Sequence, residues 1–245
     1  MRRFALHADR IAGDRVRFDR EETRHLALVL RLRPGDDVLV TDGAGRELTV
    51  RLETLGEAAT GRVLDTRRGR GESPLEVTLV QGIPKADKME AIVRACTELG
   101  VRRIRPAICA RTIVQLEPSR WRERARRWQR VAKEAAKQSG RSVIPDVAAP
   151  RPLAECLDAA GEVPLALCLW EGEAEPLGVV LGRCLAAPAR VLLLVGPEGG
   201  LAEEEVALAR ARGLAVASLG PRILRSQTAG PAVLAVLQSR FGDLG

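Results

Sequence analysis

Three short apolar runs constrain this chain more than anything else in it: PLALCLW at 164–170, VLLLVG at 191–196 and LAVASLG at 214–220. Each is too short for a typical helix and apolar on both faces, as a strand buried on both sides of a parallel sheet must be. Two earlier runs, LEVTLVQGI at 75–83 and RRIRPAICA at 102–110, also read as strands and precede them, the second with Pro106 inside it or at its edge. Helical periods lie between: KADKMEAIVRACTELGV, closed by Gly100, and EPSRWRERARRWQRVAKEAAKQSG, with Gly140 as its C-cap. Strands alternating with helices predict an α/β layered domain.

The first 70 residues follow a different period. RVRF, DDVLVTDG, RELTVRLETL and ATGRVLDTRRG are short alternating runs bounded by Asp-Gly and Gly-x-Gly turns. One helix, DREETRHLALVLRL, interrupts them, with Asp19 as its cap and His25, Leu26, Val29 and Leu30 as an apolar stripe. A small β-barrel is expected over 1–70. TRRGRGESP at 66–74 is the linker, and 74–245 forms the second domain.

No apolar run reaches the roughly 20 residues that cross a bilayer, and MRRFALHADR carries Asp9 and no apolar signal core, so a soluble, cytoplasmic protein without membrane contact is expected. The five cysteines are odd in number and never form a C-x-x-C pair, which predicts reduced, buried thiols and no metal. Neither His7 nor His25 has a metal-ligand or triad neighbour, so both read as structural or solvent-facing. The net charge of +7 is unevenly placed: residues 85–145 hold 16 Lys and Arg against 6 Asp and Glu, whereas 146–245 hold 8 against 12. In the long basic helix, Trp121, Trp128, Val131 and Ala135 form a buried seam, while Arg120, Arg124, Arg127, Lys133 and Lys137 lie on the broad remaining faces. A charge run of this kind is ordinarily a solvated face, but such concentrated basicity also fits a phosphate backbone. With no tyrosine and only three Phe and three Trp, any nucleic-acid binding leans on arginine.

Two loops follow apolar strands and carry the chemistry. VLLLVGPEGGLAEEE looks like a phosphate loop but lacks the Walker lysine and hydroxyl, and its glycines miss the G-x-G-x-x-G spacing. Glu203, Glu204 and Glu205 complement the next helix's dipole and would repel a polyanion there. Glu198, between Pro197 and two glycines, suits close approach of a phosphate-free ligand, one carrying positive charge included. SLGPRILRSQTAG at 218–230 supplies the second loop, with Arg222 and Arg225 projecting and a helix beginning near Ser226 to Thr228, whose hydroxyls are natural caps. By spacing alone, the two arginines are as readily solvated or capping as ligand-facing.

LLLVGPEGGLAEEE and SLGPRILRSQTAG together closely resemble the two C-terminal signatures of the ribosomal small subunit RNA methyltransferase E family. HLALVLRLRPGDDVLVTDGAG, KADKMEAIVRACTELGVRRIRP and EAAKQSGR with IPDV resemble its other motifs, so the likeness covers nearly the whole chain. The resemblance implies an S-adenosyl-L-methionine-dependent enzyme of the SPOUT superfamily that methylates uridine N3 in small-subunit ribosomal RNA. It also implies a PUA-like N-terminal domain, an α/β C-terminal domain with a trefoil knot, and a homodimer. Carried onto this chain, the cofactor site comprises Leu169, Trp170, Val195, Gly196, Pro197, Glu198, Gly199, Gly200, Leu219, Gly220, Ile223, Leu224, Arg225 and Thr228. The cofactor has a sulfonium, an ammonium and a carboxylate but no phosphate, which accounts for a glycine turn without lysine.

N3 of uracil is normally protonated, so its methylation requires an unpaired base and a proton acceptor or stabilisation of the uracil anion. Arg225 and Arg222 are the candidates for that stabilisation. The family usually reads R-x-E-T where this chain has Arg225-Ser226-Gln227-Thr228, and the neutral amide of Gln227 cannot act as a base. Small-subunit RNA, free or within the assembled 30S particle, is expected against Arg2, Arg3, Arg24 and Arg31 of the first domain and Lys85, Lys88, Arg111, Lys133, Lys137 and Arg141 of the basic middle. The alternatives are a SPOUT enzyme acting on another RNA or atom, and an RNA-binding or ribosome-assembly protein without catalysis.

Overall fold

The computed structural model describes residues 1–159 and 161–245. It divides into two compact units: Met1–Glu72 with Ala136–Ile144, and Ser73–Ala135 with Pro145–Gly245.

The first unit is a six-stranded sheet. Its strands are β1 (Arg3–Ala5), β2 (Ile11–Ala12), β3 (Arg15–Arg17), β4 (Asp37–Thr41), β5 (Arg46–Thr54) and β6 (Thr60–Arg68), in the order β1-β4-β5-β6-β3-β2. Phe4, Val16, Val38, Val40, Leu48, Val50 and Leu52 come from four of these strands yet share one buried core with Phe18 and Leu26, so the sheet curls around it as a barrel-like layer. Register shifts between β5 and β6 add the local bending that such curvature requires.

The helix expected over 19–32 is shorter and changes its winding. Asp19 accepts the Glu22 amide at 2.7 Å and caps α1 (Arg20–Arg24), but His25–Val29 is a π-helical turn in which the Leu30 amide reaches the His25 carbonyl. One extra residue per turn rotates the expected stripe. Leu26 is fully buried, His25 and Leu30 are half-buried, and Val29 is 70% exposed.

Ser142 and Val143 complete this unit. Glu72 accepts both their backbone amides at 2.9 Å and pairs with Arg141, while the Thr41 hydroxyl donates to the Ser142 carbonyl at 2.6 Å. The segment 136–144 therefore belongs with a unit that the sequence reading ends near residue 70.

The second unit is α/β. After β7 (Glu76–Gly82) come α2 (Lys88–Glu98), β8 (Arg103–Ile108), α3 (Pro118–Ser139), β9 (Asp146–Val147), β10 (Arg151–Pro152) and α4 (Leu153–Asp158). Then follow β11 (Leu165–Leu169), β12 (Glu175–Pro176), α5 (Leu177–Gly182), β13 (Arg190–Val195), α6 (Glu203–Ala211), β14 (Ala215–Ser218) and α7 (Ser226–Phe241). The sheet runs β10-β8-β7-β13-β11-β14-β12, with β9 also on β8, and every pairing is parallel.

Alternate residues of its central strands face opposite layers. Val80, Cys168, Leu192, Leu194 and Val216 pack with Cys156, Leu157, Val206 and Ala209 of α4 and α6. On the opposite face α7 packs on β7 and β13 and against α2. The chain thus leaves β14, beyond β11, and returns across the sheet to β7 and β13, a path consistent with the threading that the family resemblance implies.

In α3 the buried seam is Trp121, Ala125, Trp128, Ala132 and Ala135 at helical spacing, and Val131 sits half-buried beside it. All five cysteines are free. Burial pushes the Cys96 and Cys168 thiols up to about 12 and that of Cys156 to about 11, so none of these is a thiolate at neutral pH. Among the described residues no cluster suited to a metal is present, and no helix is long and apolar enough to cross a membrane.

Candidate functional site

Parallel strands all finish at one edge, and the loops that leave them meet there. The loops after β11, β13 and β14, with Lys88 of α2 and the first turn of α7, line a cleft of about 700 Å³.

The loop after β13 is held in a tight turn. The Gly200 amide donates to the Pro197 carbonyl at 3.0 Å, and Gly200 adopts a φ of +72°. A Cβ on Gly200 would stand 2.2 Å from the Glu171 carboxylate. Beneath the loop, Gly82 at the end of β7 approaches so closely that a Cβ there would meet Pro197 at 2.5 Å. The fully buried Gln81 amide donates to the Gly196 carbonyl at 3.3 Å, and Arg111 donates to the Gly199 carbonyl at 2.9 Å.

Glu198 is committed rather than free. Its carboxylate accepts from Lys88 Nζ at 2.7 Å and from the Lys85 amide at 3.0 Å, tying the loop to the start of α2. Partial burial pushes its carboxyl up, but the Lys88 and Lys85 bonds outweigh that and hold it below the usual carboxylate range. Of the three following glutamates, Glu203 and Glu204 are exposed. Glu205 does more than complement a dipole: it accepts the Ala202 amide at 2.9 Å and the Ala110 amide at 2.8 Å.

The loop after β14 ends at Arg225, whose carbonyl accepts the Thr228 and Ala229 amides and so starts α7. The hydroxyls expected to cap this helix do not. Ser226 Oγ is buried without a partner among the described residues, and Thr228 is exposed. Arg222 and Arg225 are exposed, Gln227 is half-buried, and all three line the cleft with no side-chain partner among the described residues.

The cleft gathers Leu169, Trp170, Val195, Gly196, Pro197, Glu198, Gly200, Leu219, Gly220, Ile223, Leu224 and Arg225 from the expected cofactor set. Gly199, turned against Arg111, and Thr228 are not in its wall. Glu171, Leu201, Ala217 and Ser226 are, although none was in the expected cofactor set; Leu201 and Ser226 lie within the two signatures, and an acid directly after Trp170 at a strand end was the available signal for Glu171. Nor is the cleft free of basic groups, since Lys88, Arg222 and Arg225 share it with Glu171 and Glu198.

The residues expected on RNA divide by partner. Arg2, Arg24, Arg31 and Lys85 have exposed side chains, and Arg111 is exposed while holding Gly199. Lys133 is half-buried. Arg141 is only 3% exposed and bonded to Glu72 at 2.8 Å, so it is a structural ion-pair partner and not an RNA contact. Lys137 is paired with buried Glu22 at 3.2 Å, and Arg3 lies 2.7 Å from buried Glu47, which removes both from the freely available positive surface. Lys88 is spoken for by Glu198.

An RNA methyltransferase domain model matches residues 71–238, and an RNA methyltransferase PUA domain model matches 18–59. The chain is 37% identical to the ribosomal RNA small subunit methyltransferase E of Synechocystis sp., over 97% of this chain and 77% of that one. The Bacillus subtilis protein of the same name is 31% identical over 85% and 84%. The crystal structure of the Neisseria gonorrhoeae methyltransferase E bound to S-adenosyl methionine superposes with a TM-score of 0.88 at 34% identity, covering both chains in full. A Legionella pneumophila protein in complex with the same cofactor gives 0.87 at 30% identity, covering 99% and 98%. An α/β parallel-sheet unit with this cleft, a PUA domain before it and whole-chain likeness of this degree have one reading: the chain belongs to the ribosomal RNA small subunit methyltransferase E family.

Proposed function

We propose that this protein transfers a methyl group from S-adenosyl-L-methionine to N3 of a uridine in small-subunit ribosomal RNA. The observation that carries the reading is the cleft itself, where a glycine turn unsuited to phosphate meets two arginines that have no side-chain partner among the described residues, at the carboxyl edge of a parallel sheet. The Gly200 amide is used within its own turn, so it is not free for a phosphate oxygen. Leu169, Val195, Leu201, Ala217 and Leu224 offer an apolar wall for a purine ring, and the orphaned Ser226 hydroxyl awaits a polar partner. These residues fit the uncharged adenosine and the charged tail of the cofactor, which when bound supplies an electrophilic methyl on sulfur.

The chain's own groups address the other reactant. The target base must be unpaired to present N3. Arg222 and Arg225, exposed and without acidic partners among the described residues, are placed to stabilise negative charge spreading onto the uracil carbonyl oxygens. Gln227 can hold the base or the loop through its amide but cannot take the proton. A cytoplasmic homodimer acting on free RNA or on the assembled 30S particle completes the reading.

Gln227 also supports a second reading, an RNA-binding or assembly protein without catalysis. Calorimetry with S-adenosyl-L-methionine and primer extension on small-subunit RNA and 30S particles separate the two. The expected result is cofactor binding and a reverse-transcription stop at one uridine, absent with Gly196→Arg, because N3 methylation blocks pairing. Mass spectrometry placing the methyl on another atom would refute the N3 assignment, and binding of RNA without methyl transfer would favour the second reading.

A further inference from the structure

The cleft holds two carboxylates, and they are not equivalent. Glu198 is neutralised by Lys88 at 2.7 Å and spends its other oxygen on the Lys85 amide. Glu171 has no hydrogen bond or ion pair among the described residues, although its carboxylate packs directly over Gly200, where even a methyl group would collide with it at 2.2 Å. The turn at Gly200 therefore keeps open the space in which an unneutralised negative charge faces the cleft.

Building on the function proposed above, we propose that Glu171 makes the cleft charge-selective, favouring the net-cationic methyl donor over its neutral product. At neutral pH the donor carries a sulfonium, an ammonium and a carboxylate, a net charge of +1. Loss of the methyl leaves the sulfur with the electron pair of the broken C–S bond, and the resulting thioether has no net charge. A carboxylate facing the cleft attracts the first form and is indifferent to the net charge of the second. Arg222 and Arg225 make this charge more consequential, since without Glu171 the basic side chains would dominate the field at the cleft. The effect favours loading of fresh donor and release of spent product without any moving part.

The test is calorimetric and needs no RNA. Dissociation constants for S-adenosyl-L-methionine and for S-adenosyl-L-homocysteine are measured with wild type, Glu171→Gln and Glu171→Asp at low and high salt. The expected result for Glu171→Gln is donor binding weakened about tenfold, equivalent to about 1.4 kcal/mol, with product binding changed less than about twofold. Glu171→Asp keeps the charge and is expected to retain most of the preference. Equal weakening of both ligands would show that Glu171 shapes the pocket rather than reading charge, and would overturn the proposal. Unchanged affinities for both ligands would also overturn it, since the Glu171 charge would then not act on the bound cofactor. Failure of wild type to bind either ligand would sink the methyltransferase reading itself, and this proposal with it.

Discussion

Replacing Gly82 with alanine tests whether the cofactor loop is held from beneath. Gly82 does not have a positive φ, so alanine meets no backbone obstacle. The obstacle is the loop: the new Cβ would lie 2.5 Å from both N and Cδ of Pro197 and 2.8 Å from the Gly196 carbonyl carbon. Ordinary contact begins near 3.4 Å, so the GPEGG turn or β7 must retreat by about 1 Å. Neither can do so by rotating a side chain, because the atoms met are backbone and a proline ring. Overpacking of this sort costs roughly 1–3 kcal/mol, and a unit of this size loses about 2–4 °C of Tm for each. A 1 Å misplacement of a positioning loop costs on the order of 100-fold in rate. Calorimetry with the cofactor, primer extension kinetics and thermal melting read all three quantities. A variant that melts several degrees lower yet binds and methylates within twofold of wild type would refute the claim that the Gly82–Pro197 contact sets the loop's working position.

The folded pKa of Glu198 lies below its unfolded value, so its anchoring is fully present above the ordinary carboxylate range, near 4.3, and is lost as pH falls through the folded value. Cofactor affinity should weaken on that acidic limb in wild type, and Glu198→Gln, weaker throughout, should show a shallower limb in titrations from pH 6 downward. Arg141→Met leaves Glu72 without its buried partner and should destabilise by roughly 3 kcal/mol in chemical denaturation; the salt dependence of RNA binding should not change, and a reduced slope would restore Arg141 to the RNA surface. Gln227→Glu returns a carboxylate to the cleft: a rate gain at neutral pH would mark that position as the missing proton acceptor, and an unchanged pH–rate profile would exclude it.

Strands β11, β13 and β14 were legible because a parallel strand covered on both faces is apolar almost throughout, whereas β7 and β8 carry polar residues and were legible from short runs set between helical periods. Turn chemistry placed the two loops at their ends for the same local reason. What escaped were properties set by distant partners. Counting charges cannot separate Arg141, sealed against Glu72, from Arg24, which is exposed. Nothing near Glu198 in the chain announces Lys88, 110 residues earlier. The π-helical turn at His25 defeats a period of 3.6 outright, since it adds one residue to the turn and exposes Val29. Ser226 looked like a cap by residue type, but the Arg225 backbone starts the helix and leaves that hydroxyl buried in the cleft wall.

The first unit's assignment of 136–144 has a consequence for synthesis. Its last long strand is complete at Arg68, and a ribosome adding roughly 5–20 residues per second would release an otherwise contiguous domain at that point. Glu72, however, finds its amide partners only at Ser142 and Val143, 70 and 71 residues later. At that speed the nascent sheet waits roughly 4–14 s for Ser142 and Val143, during which β7, α2, β8 and all of α3 are made. A fragment ending at residue 72 would keep that unfinished state permanently, and its poor behaviour would report a missing piece rather than a weak core.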